Sequence, residues 1–387
     1  MKIAFIGQKG IPVFTGGGGV ERRVEELSTR MSQRGHQVTV YARADYIINT
    51  PRRYKGVNLI YCSFIPTKNL SAISHTFVST INALFQDYDV IHYQSPGPST
   101  LCWIIKIFKR KTTLIATFNS LDFKHQKWGF FAKKYLKFGE WVITKVPDKT
   151  IVISEILEKY VKKRFQKDTI MIHNGASVEE DVSHAGEELN KWCLYRKRYF
   201  LTVVRLVQHK GIHYLIKAFQ DGQKDNRIPK DFKLVIVGDS SYTDDYVKYL
   251  KKLGHGDPNV IFTGTQTGKM LSQLYFHSYA LVHPSEAEGL SNAILEAMGY
   301  GITPIVSDIE ENLLPVDGYG IVFKNKSISD LKSKLIYAIE NDKLIEDLGK
   351  KAKQHVLKHY CWEENTLQTL MIYHQVFMQK RKGQVLI

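Results

Sequence analysis

The stretch YALVHPSEAEGLSNAILEAMGYG, residues 279–301, has the pattern of a buried strand, a short loop and a helix. An apolar run ends at Pro284, and AILEAMGY then has the apolar spacing of a helix. The loop carries Glu288 followed by Gly289, and the helix carries Glu296, eight positions after the first carboxylate. The stretch predicts an open α/β sheet whose strands end at a ligand site.

The loop of this stretch suits a ligand that joins a sugar to a phosphate. Leu290, Ser291 and Asn292 stand at the predicted helix start, where unpaired backbone N–H groups favour an anion. Glu296 can accept hydrogen bonds from two ribose hydroxyls, and Glu288 can face a sugar ring. The alternative is two carboxylates near a helix start without a ligand.

The pattern of strand, loop and helix repeats along the chain. Apolar runs with helical stretches between them predict strands at 2–7, 36–43, 89–94, 113–118, 149–154, 169–175, 198–206, 232–239, 259–265, 279–285 and 303–308. Alternation of this kind predicts parallel sheets covered by helices on both faces.

A polar segment interrupts the alternation and divides the chain. We predict an N-terminal Rossmann-like domain at 1–175, a linker at 176–197, a C-terminal Rossmann-like domain at 198–360 and a last helix at 361–387. The predicted fold class is therefore α/β, with two doubly wound domains that face a central cleft.

Charge is concentrated in the first half of the 387 residues, whose net charge is +16. Residues 1–180 carry 27 Lys and Arg against 14 Asp and Glu, and residues 101–170 alone carry 16 against 6. Such a patch attracts a phosphate-bearing substrate, an anionic membrane surface or nucleic acid. No apolar run reaches the ~18–20 residues of a spanning helix, and the first strand is too short for a signal-peptide core. We therefore expect a cytoplasmic protein.

A glycine-rich loop follows the first strand. Four consecutive glycines, residues 16–19, stand between that strand and the helix VERRVEEL. Glycine lets backbone N–H groups approach a ligand closely, and a helix N-terminus favours an anion. We predict a phosphate beside this loop, with a flexible turn that binds nothing as the alternative.

Two cations stand at the end of a strand in VVRLVQHKGIHYLIKAF, residues 203–219. Arg205 follows the strand, and Lys210 comes just before a glycine and a helix. Such a pair can neutralise a diphosphate, Arg by a bidentate contact and Lys as a mobile point charge. It would also stabilise a leaving group that gains negative charge as its bond breaks. The alternative is two solvated surface charges.

Signs of metal binding and of nucleotide hydrolysis are absent from the sequence. Four Cys lie far apart and form no C-x-x-C pair, as expected of reduced structural thiols. GTQTGKM, residues 264–270, resembles a P-loop but has three spacer residues, and Met270 where Ser or Thr would bind magnesium. We expect no metal and no cofactor.

Together these motifs resemble the retaining nucleotide-sugar glycosyltransferases of family 4, which have the two-domain GT-B fold. The resemblance rests on the E-x7-E spacing with EG and LEAM, and on RLVQHKG, VSDIEEN, GGVERRVEEL and RGHQVTVYAR. It covers nearly the whole chain and implies that the last helix crosses back onto the first domain.

The resemblance implies a role for each motif. Arg205 and Lys210 would bind the diphosphate, Glu288 would approach the donor sugar, and Glu296 would hold the ribose. The other donor-binding residues would be Gly18 and Gly19 beside the phosphates, Gly264 and Thr265 near the base, and Gly289, Leu290, Ser291 and Asn292 at the helix start. Transfer would retain the anomeric configuration, with the leaving phosphate helping to deprotonate the acceptor and the basic pair replacing a metal.

A narrower resemblance, to bacterial rhamnosyltransferases of cell-surface polysaccharides, lies in IATFNSLDFKHQKW, residues 115–128. It implies a lipid-linked saccharide as acceptor and an acceptor side formed by His92, Asn119, Asp122 and Lys127. Asn119 stands where these enzymes have a His, so it can hydrogen-bond a hydroxyl but cannot relay a proton. The departure affects the choice of rhamnose rather than the class of enzyme.

Residues 101–145 interleave aromatic and basic side chains. Several of the aromatics recur at helical spacing and are expected in a core, so an amphipathic helix with a solvated basic face is one interpretation. The other is docking on an anionic surface at the inner face of the cell membrane, where a lipid-linked acceptor would stand. We expect no nucleic acid partner.

The leading hypothesis is a metal-independent, retaining hexosyltransferase of cell-surface polysaccharide biosynthesis. It would move a hexose or deoxyhexose, with rhamnose the best guess, from a nucleotide-sugar to the acceptor. Two other classes stay open. One is a non-catalytic GT-B scaffold, which the altered Asn119 and Gln94 would suit, and the other is a GT-B nucleotide-sugar epimerase, although epimerases lack the EG…LEAM arrangement.

Overall fold

A computed structural model describes residues 1–13, 17–46, 51–67, 70–121, 130–178, 186–240 and 243–385. Its chain forms two compact units, the first consisting of Met1–Asn174 with Trp362–Ile387 and the second of Gly175–Cys361. Residues 176–197, predicted as a linker, fall within the second unit, where Leu189 and Leu194 are buried in the core.

The first unit is built on one eight-stranded sheet. Its strands are β1 Lys2–Ile6, β2 Gln37–Arg43, β3 Arg53–Tyr54, β4 Val57–Cys62, β5 Val90–Gln94, β6 Thr113–Phe118, β7 Lys149–Val152 and β8 Ile170–Met171. Its helices are α1 Gly19–Gln33, α2 Ser71–Leu84, α3 Pro96–Ser99, α4 Cys102–Phe108, α5 Phe130–Lys145, α6 Glu155–Phe165 and, at the end of the chain, α14 Trp362–Val385. The strand order is β3-β4-β2-β1-β5-β6-β7-β8, and every pair is parallel except β3 with β4.

The period of two in each strand decides which side chains meet α1 and α14. Ile3 and Phe5 of β1 point to one face and are fully buried with Leu27 of α1 and Tyr373 of α14. The opposite face of the sheet is covered by the helices from α2 to α5. The last helix therefore belongs to the core of the first unit.

The second unit is built on a six-stranded, fully parallel sheet. Its strands are β9 Tyr199–Val203, β10 Lys233–Val237, β11 Val260–Gly264, β12 Ala280–His283, β13 Thr303–Ser307 and β14 Ile321–Phe323. Its helices are α7 Ile212–Lys224, α8 Asp244–Leu253, α9 Gly268–His277, α10 Asn292–Gly299, α11 Glu310–Val316, α12 Ile328–Glu340 and α13 Asp342–His359. Two short 3₁₀ helices cover Glu187–Trp192 and Gln208–Lys210.

The order of this sheet is β11-β10-β9-β12-β13-β14. Alternate strand residues form two cores, one on each face: Phe200 and Ala280 pack with α7 and α12, whereas Leu201 and Leu281 pack with α10. Burial on both faces explains why the strands appear in the sequence as continuous apolar runs.

The α/β class and all of the predicted strands are confirmed. The sequence analysis missed β3, β4 and β14. Strand β3 has only two residues, neither of them buried, and β14 has only three, whereas the apolar run of β4 is interrupted by Asn58.

The expectation of core aromatics in residues 101–145 was wrong for the described part of α5. Phe130, Phe138 and Trp141 are 67%, 52% and 49% exposed, because Leu136 and Ile143 fill the buried side of the helix. Among the helices that the structure describes, none has the length and apolarity to cross a membrane.

Candidate active site

The second sheet reverses its order between β9 and β12. From β9 the chain proceeds outward to β10 and β11, whereas from β12 it proceeds outward the other way. The loops after β9 and β12 therefore diverge at the carboxyl edge of the sheet, and such a switch point is where open α/β sheets bind ligands. Arg205 and Lys210 follow β9, and Glu288 follows β12.

Lys210 and Glu288 form a buried ion pair at this switch point. The Lys210 Nζ donates to Glu288 Oε1, and the two side chains are only 11% and 9% exposed. Burial lowers the pKa of Lys210 more than the nearby carboxylate raises it. Burial alone would raise the pKa of Glu288, but Lys210 and His283 together hold that pKa well below its usual range. Glu288 is therefore an anion near neutral pH.

A glycine brings the two loops together. Gly211 follows Lys210 at the start of α7 with φ of +68°, and a Cβ at this position would lie 2.1 Å from the Pro284 carbonyl oxygen. Only glycine combines this left-handed backbone with so close an approach. The Glu286 N–H also donates to the His209 carbonyl at 2.7 Å. These contacts hold Lys210 beside Glu288.

Other predicted donor-binding residues lie along the same unit. Arg205 is exposed, and its charge contributes to the lowered pKa of Lys210, which places the two cations near each other. Glu296 is 8% exposed on α10, and Ser291 is the residue that precedes this helix.

Gly289, Leu290 and Asn292 are half-buried around the start of α10. Gly264 ends β11 with φ of +68° and open space around it, followed by Thr265. The start of α10 and the end of β11 thus supply backbone groups at the same edge of the sheet.

Sequence reasoning missed His283, the last residue of β12. Its Nε2 lies 2.7 Å from Glu288 Oε1 and 3.1 Å from Ser285 Oγ, and the ring is 1% exposed. The available signal was a His at a strand end, five residues before the loop carboxylate, in HPSEAEG.

The glycine-rich loop lies in the first unit, where a carboxylate holds it to the helix. Gly18 precedes α1 and donates its N–H to Glu21 Oε2 at 2.8 Å, while Lys9 donates its N–H to Glu21 Oε1 at 3.0 Å. Gly18 and Gly19 are described, and Gly16 lies outside the described residues.

The predicted acceptor-side residues are only partly described. His92 is fully buried, with Nε2 2.6 Å from Thr117 Oγ1 and Nδ1 bonded to the Tyr373 hydroxyl, so its geometry gives no support to contact with an acceptor. Asn119 is 6% exposed at the end of β6, and its Nδ2 lies 3.4 Å from Gln94 Oε1. Asp122 and Lys127 lie outside the described residues.

Within the described ranges, no group of three or more His, Cys, Asp or Glu side chains is placed to hold a metal ion.

The two units match two glycosyltransferase families. Residues 17–180 match Glycosyltransferase Family 4, and residues 190–355 match Glycosyl transferases group 1. With the doubly wound sheets, these matches define the class: the chain belongs to the group 1 and family 4 glycosyltransferases of the GT-B fold.

Particular proteins of this class are similar to the chain. An uncharacterized glycosyltransferase of Methanocaldococcus jannaschii is 28% identical over 66% of this chain and 64% of its own length, just under two thirds. The phosphatidyl-myo-inositol mannosyltransferase of Mycolicibacterium smegmatis is 23% identical over 93% of this chain and 90% of its own. The crystal structure of HepE from Anabaena in complex with UDP-glucose has a TM-score of 0.76 and 19% identity, and covers 96% of this chain and 99% of that one.

Proposed function

We propose that this protein transfers a hexose or deoxyhexose from a nucleotide-sugar to a lipid-linked saccharide. The observation that carries the proposal is the buried Lys210–Glu288 pair at the switch point of the second sheet. A nucleotide-sugar donor is supported by the UDP-glucose complex of HepE, which shares the fold. A lipid-linked acceptor is supported by the name of the mycobacterial relative, a phosphatidyl-myo-inositol mannosyltransferase.

The cations after β9 are suited to the leaving diphosphate. Arg205 is exposed and always charged, so it can approach a diphosphate with two donors. Lys210 can donate to the phosphate whose negative charge grows as the glycosidic bond breaks. Because these cations supply the positive charge, we propose that transfer proceeds without a metal.

The residues after β12 are suited to the sugar and the ribose. Backbone N–H groups at the start of α10 favour the phosphate, and Glu296 in the same helix can accept from the ribose hydroxyls. Glu288 keeps its negative charge beside them and can accept from a sugar hydroxyl. We propose that the leaving phosphate itself assists deprotonation of the acceptor on the same face, which retains the anomeric configuration.

The test is donor binding and slow donor hydrolysis with UDP-, dTDP- and GDP-linked sugars, dTDP-rhamnose included. Lys210→Ala and Glu288→Ala should each lower turnover of the accepted donor by about tenfold or more, since each removes a buried charged contact. Lys248→Ala is the control, because Lys248 is a surface residue whose side chain is 79% exposed.

Each outcome of this experiment has a distinct meaning. Unchanged turnover in both site variants would refute the assigned site. Binding of no donor by the wild-type protein would refute the transferase and favour the non-catalytic scaffold. Conversion of a bound donor to another nucleotide-sugar, without hydrolysis or transfer, would favour the epimerase.

The first unit presents an aromatic and basic surface that suits an anionic membrane. The surface comprises exposed side chains of two helices, namely Trp103, Ile107 and Phe108 of α4 and Phe130, Lys134, Lys137, Phe138 and Trp141 of α5. Aromatic rings favour the interface of a bilayer, and lysines favour its anionic head groups. We propose that the protein docks there, peripherally at the inner face of the cell membrane.

Vesicle binding tests the docking. Replacing the exposed Lys134 and Lys137 together with the neighbouring, half-buried Lys133 by Ala should weaken binding to vesicles that contain phosphatidylglycerol at low salt, because each lysine near an anionic surface contributes about 1 kcal/mol. The matched control replaces Lys248, Lys251 and Lys252 of α8. Equal binding of the α5 variant and the wild type would refute the docking, while donor hydrolysis should be the same in all three proteins.

A further inference from the structure

We propose that His283 is a positioning residue for the donor sugar: it holds the Glu288 carboxylate in place through Oε1 and leaves Oε2 to accept from a sugar hydroxyl. The inference deepens the proposed function and rests on it.

The contact between His283 and Glu288 fixes which nitrogen carries the proton. His283 Nε2 lies 2.7 Å from Glu288 Oε1, and an ionised carboxylate only accepts hydrogen bonds. Nε2 is therefore protonated, and the nearby Ser285 hydroxyl at 3.1 Å can share this donor. His283 Nδ1 is buried, with no hydrogen-bond partner among the residues that the structure describes.

Both donors to Glu288 act on the same oxygen. The Lys210 Nζ and His283 Nε2 donate to Oε1, and no residue that the structure describes donates to Oε2. Two donors on one oxygen fix the rotation of the carboxylate about the Cγ–Cδ bond of Glu288. The second oxygen is thus held in a defined direction with its lone pairs available, which is what recognition of a hydroxyl requires.

Lys210 cannot hold Glu288 throughout the reaction if it also binds the diphosphate. Once the donor is bound, the charge of Lys210 is divided between the carboxylate and the phosphates. His283 has no such second task, because its ring is enclosed at the end of β12. His283 is then the donor that keeps Glu288 oriented while the sugar is transferred.

A chain of buried polar contacts supports the loop that carries these residues. The Ser307 hydroxyl at the end of β13 donates to the Ser285 carbonyl at 2.5 Å, and Asn312 Nδ2 in α11 donates to Ser307 Oγ at 2.9 Å. Ser285, Ser307 and Asn312 have no exposed surface. The loop after β12 is therefore anchored on its inner side, so a change at His283 can act locally on Glu288.

The experiment compares His283→Leu and His283→Gln with the wild type. The Gln side chain places an N–H donor near the position of Nε2, whereas Leu fills similar space without a donor. We expect His283→Leu to lower kcat for hydrolysis of the accepted nucleotide-sugar by about 10- to 100-fold, since hydrogen bonds to charged groups are the stronger kind. His283→Gln should recover most of this loss.

A second readout separates positioning from a structural role. Binding of the free nucleoside diphosphates UDP, dTDP and GDP does not involve the sugar, so the dissociation constant of the one that binds should change less than about threefold in His283→Leu. His277→Leu, at another buried His of the second unit, is the control for loss of a buried ring and should retain wild-type kcat. Thermal unfolding of all variants checks that they are folded.

The outcomes distinguish this inference from the proposed function. Wild-type protein that binds none of the three nucleoside diphosphates refutes the proposed function, and this role of His283 with it. Wild-type turnover that persists within about twofold in His283→Leu refutes only the positioning role. The positioning role is also refuted if His283→Leu loses nucleoside diphosphate binding and turnover equally, or if His283→Gln does not recover turnover. Imidazole ¹⁵N NMR supplies a test without turnover, because a His283 ring protonated at Nδ1 alone would overturn the contact on which the inference depends.

Discussion

Replacing Gly211 by Ala should separate the two loops that carry Lys210 and Glu288. The new methyl group would lie 2.1 Å from the Pro284 carbonyl oxygen and 3.0 Å from its carbonyl carbon, so backbone must move. A left-handed backbone at a residue other than glycine costs about 1–2 kcal/mol. Overpacking a close contact costs about 1–3 kcal/mol more. The expected loss of unfolding free energy is therefore about 2–5 kcal/mol.

Gly256→Ala is the matched control for this prediction. Gly256 also has a positive φ, +83°, but nothing lies within 4 Å of the position that its Cβ would take. The control therefore bears the backbone cost without the clash. Urea unfolding of the two variants should differ by about 1–3 kcal/mol, which is the cost of the clash alone.

The same pair of variants tests the link from this glycine to the site. Because Lys210 precedes Gly211 in the chain, affinity for a nucleoside diphosphate should fall in Gly211→Ala and stay at the wild-type value in Gly256→Ala. If Gly211→Ala unfolds at the same urea concentration as Gly256→Ala, the close contact does not govern the loop.

Three further perturbations have defined outcomes. In the folded protein the pKa of Glu288 is held well below 4.5. The ionised Glu288 therefore contributes fully to stability above about pH 4.5, and this contribution is lost as the pH falls through the folded-state pKa. The difference in unfolding free energy between wild type and Glu288→Gln, measured by urea unfolding, should shrink steadily below about pH 4.5. Glu21→Ala removes the acceptor for the Gly18 and Lys9 N–H groups and should accelerate hydrogen exchange at the Gly18 amide. Glu21→Gln keeps an acceptor oxygen and should accelerate this exchange less. Equal exchange rates in both variants would contradict the role of Glu21 in holding the loop. Tyr373→Phe leaves the buried His92 Nδ1 without its partner and should cost about 1–3 kcal/mol of unfolding free energy, so an unchanged urea midpoint would show that this contact does not stabilise the first unit.

The sequence predicted the parallel sheets because their strands are buried on both faces. A run such as LVIV in β10 is apolar at every position, and this pattern is recognisable without knowledge of its neighbours. Strand β4 could not be recognised in this way, because Asn58 interrupts its apolar run and three of its six residues are only half-buried. The three residues of β14 are too few to show a pattern.

The aromatic residues of α5 show where the prediction from helical spacing was wrong. Helical spacing identifies one face of a helix but does not say whether that face is buried. In the first unit the buried side of α5 is filled by aliphatic residues, and Phe138 and Trp141 stack on each other with their ring centroids 6.0 Å apart on the exposed side. His92, predicted from the family resemblance to stand on the acceptor side, is fully buried and bonded to the Tyr373 hydroxyl, 281 positions later, so its contacts give that prediction no support.

The sequence by itself determined the α/β class, the alternation of helices with the strands that are buried on both faces, and the motifs that carry Lys210 and Glu288. These features are local, since a period of two or of 3.6 and a glycine after a carboxylate are properties of neighbouring residues. Tertiary structure alone decided that Lys210 and His283 donate to the same oxygen of Glu288, which lies 78 positions after Lys210 in the chain. That contact exists because β12 pairs with β9, and the pairing of strands depends on burial across the whole sheet rather than on either strand's own residues.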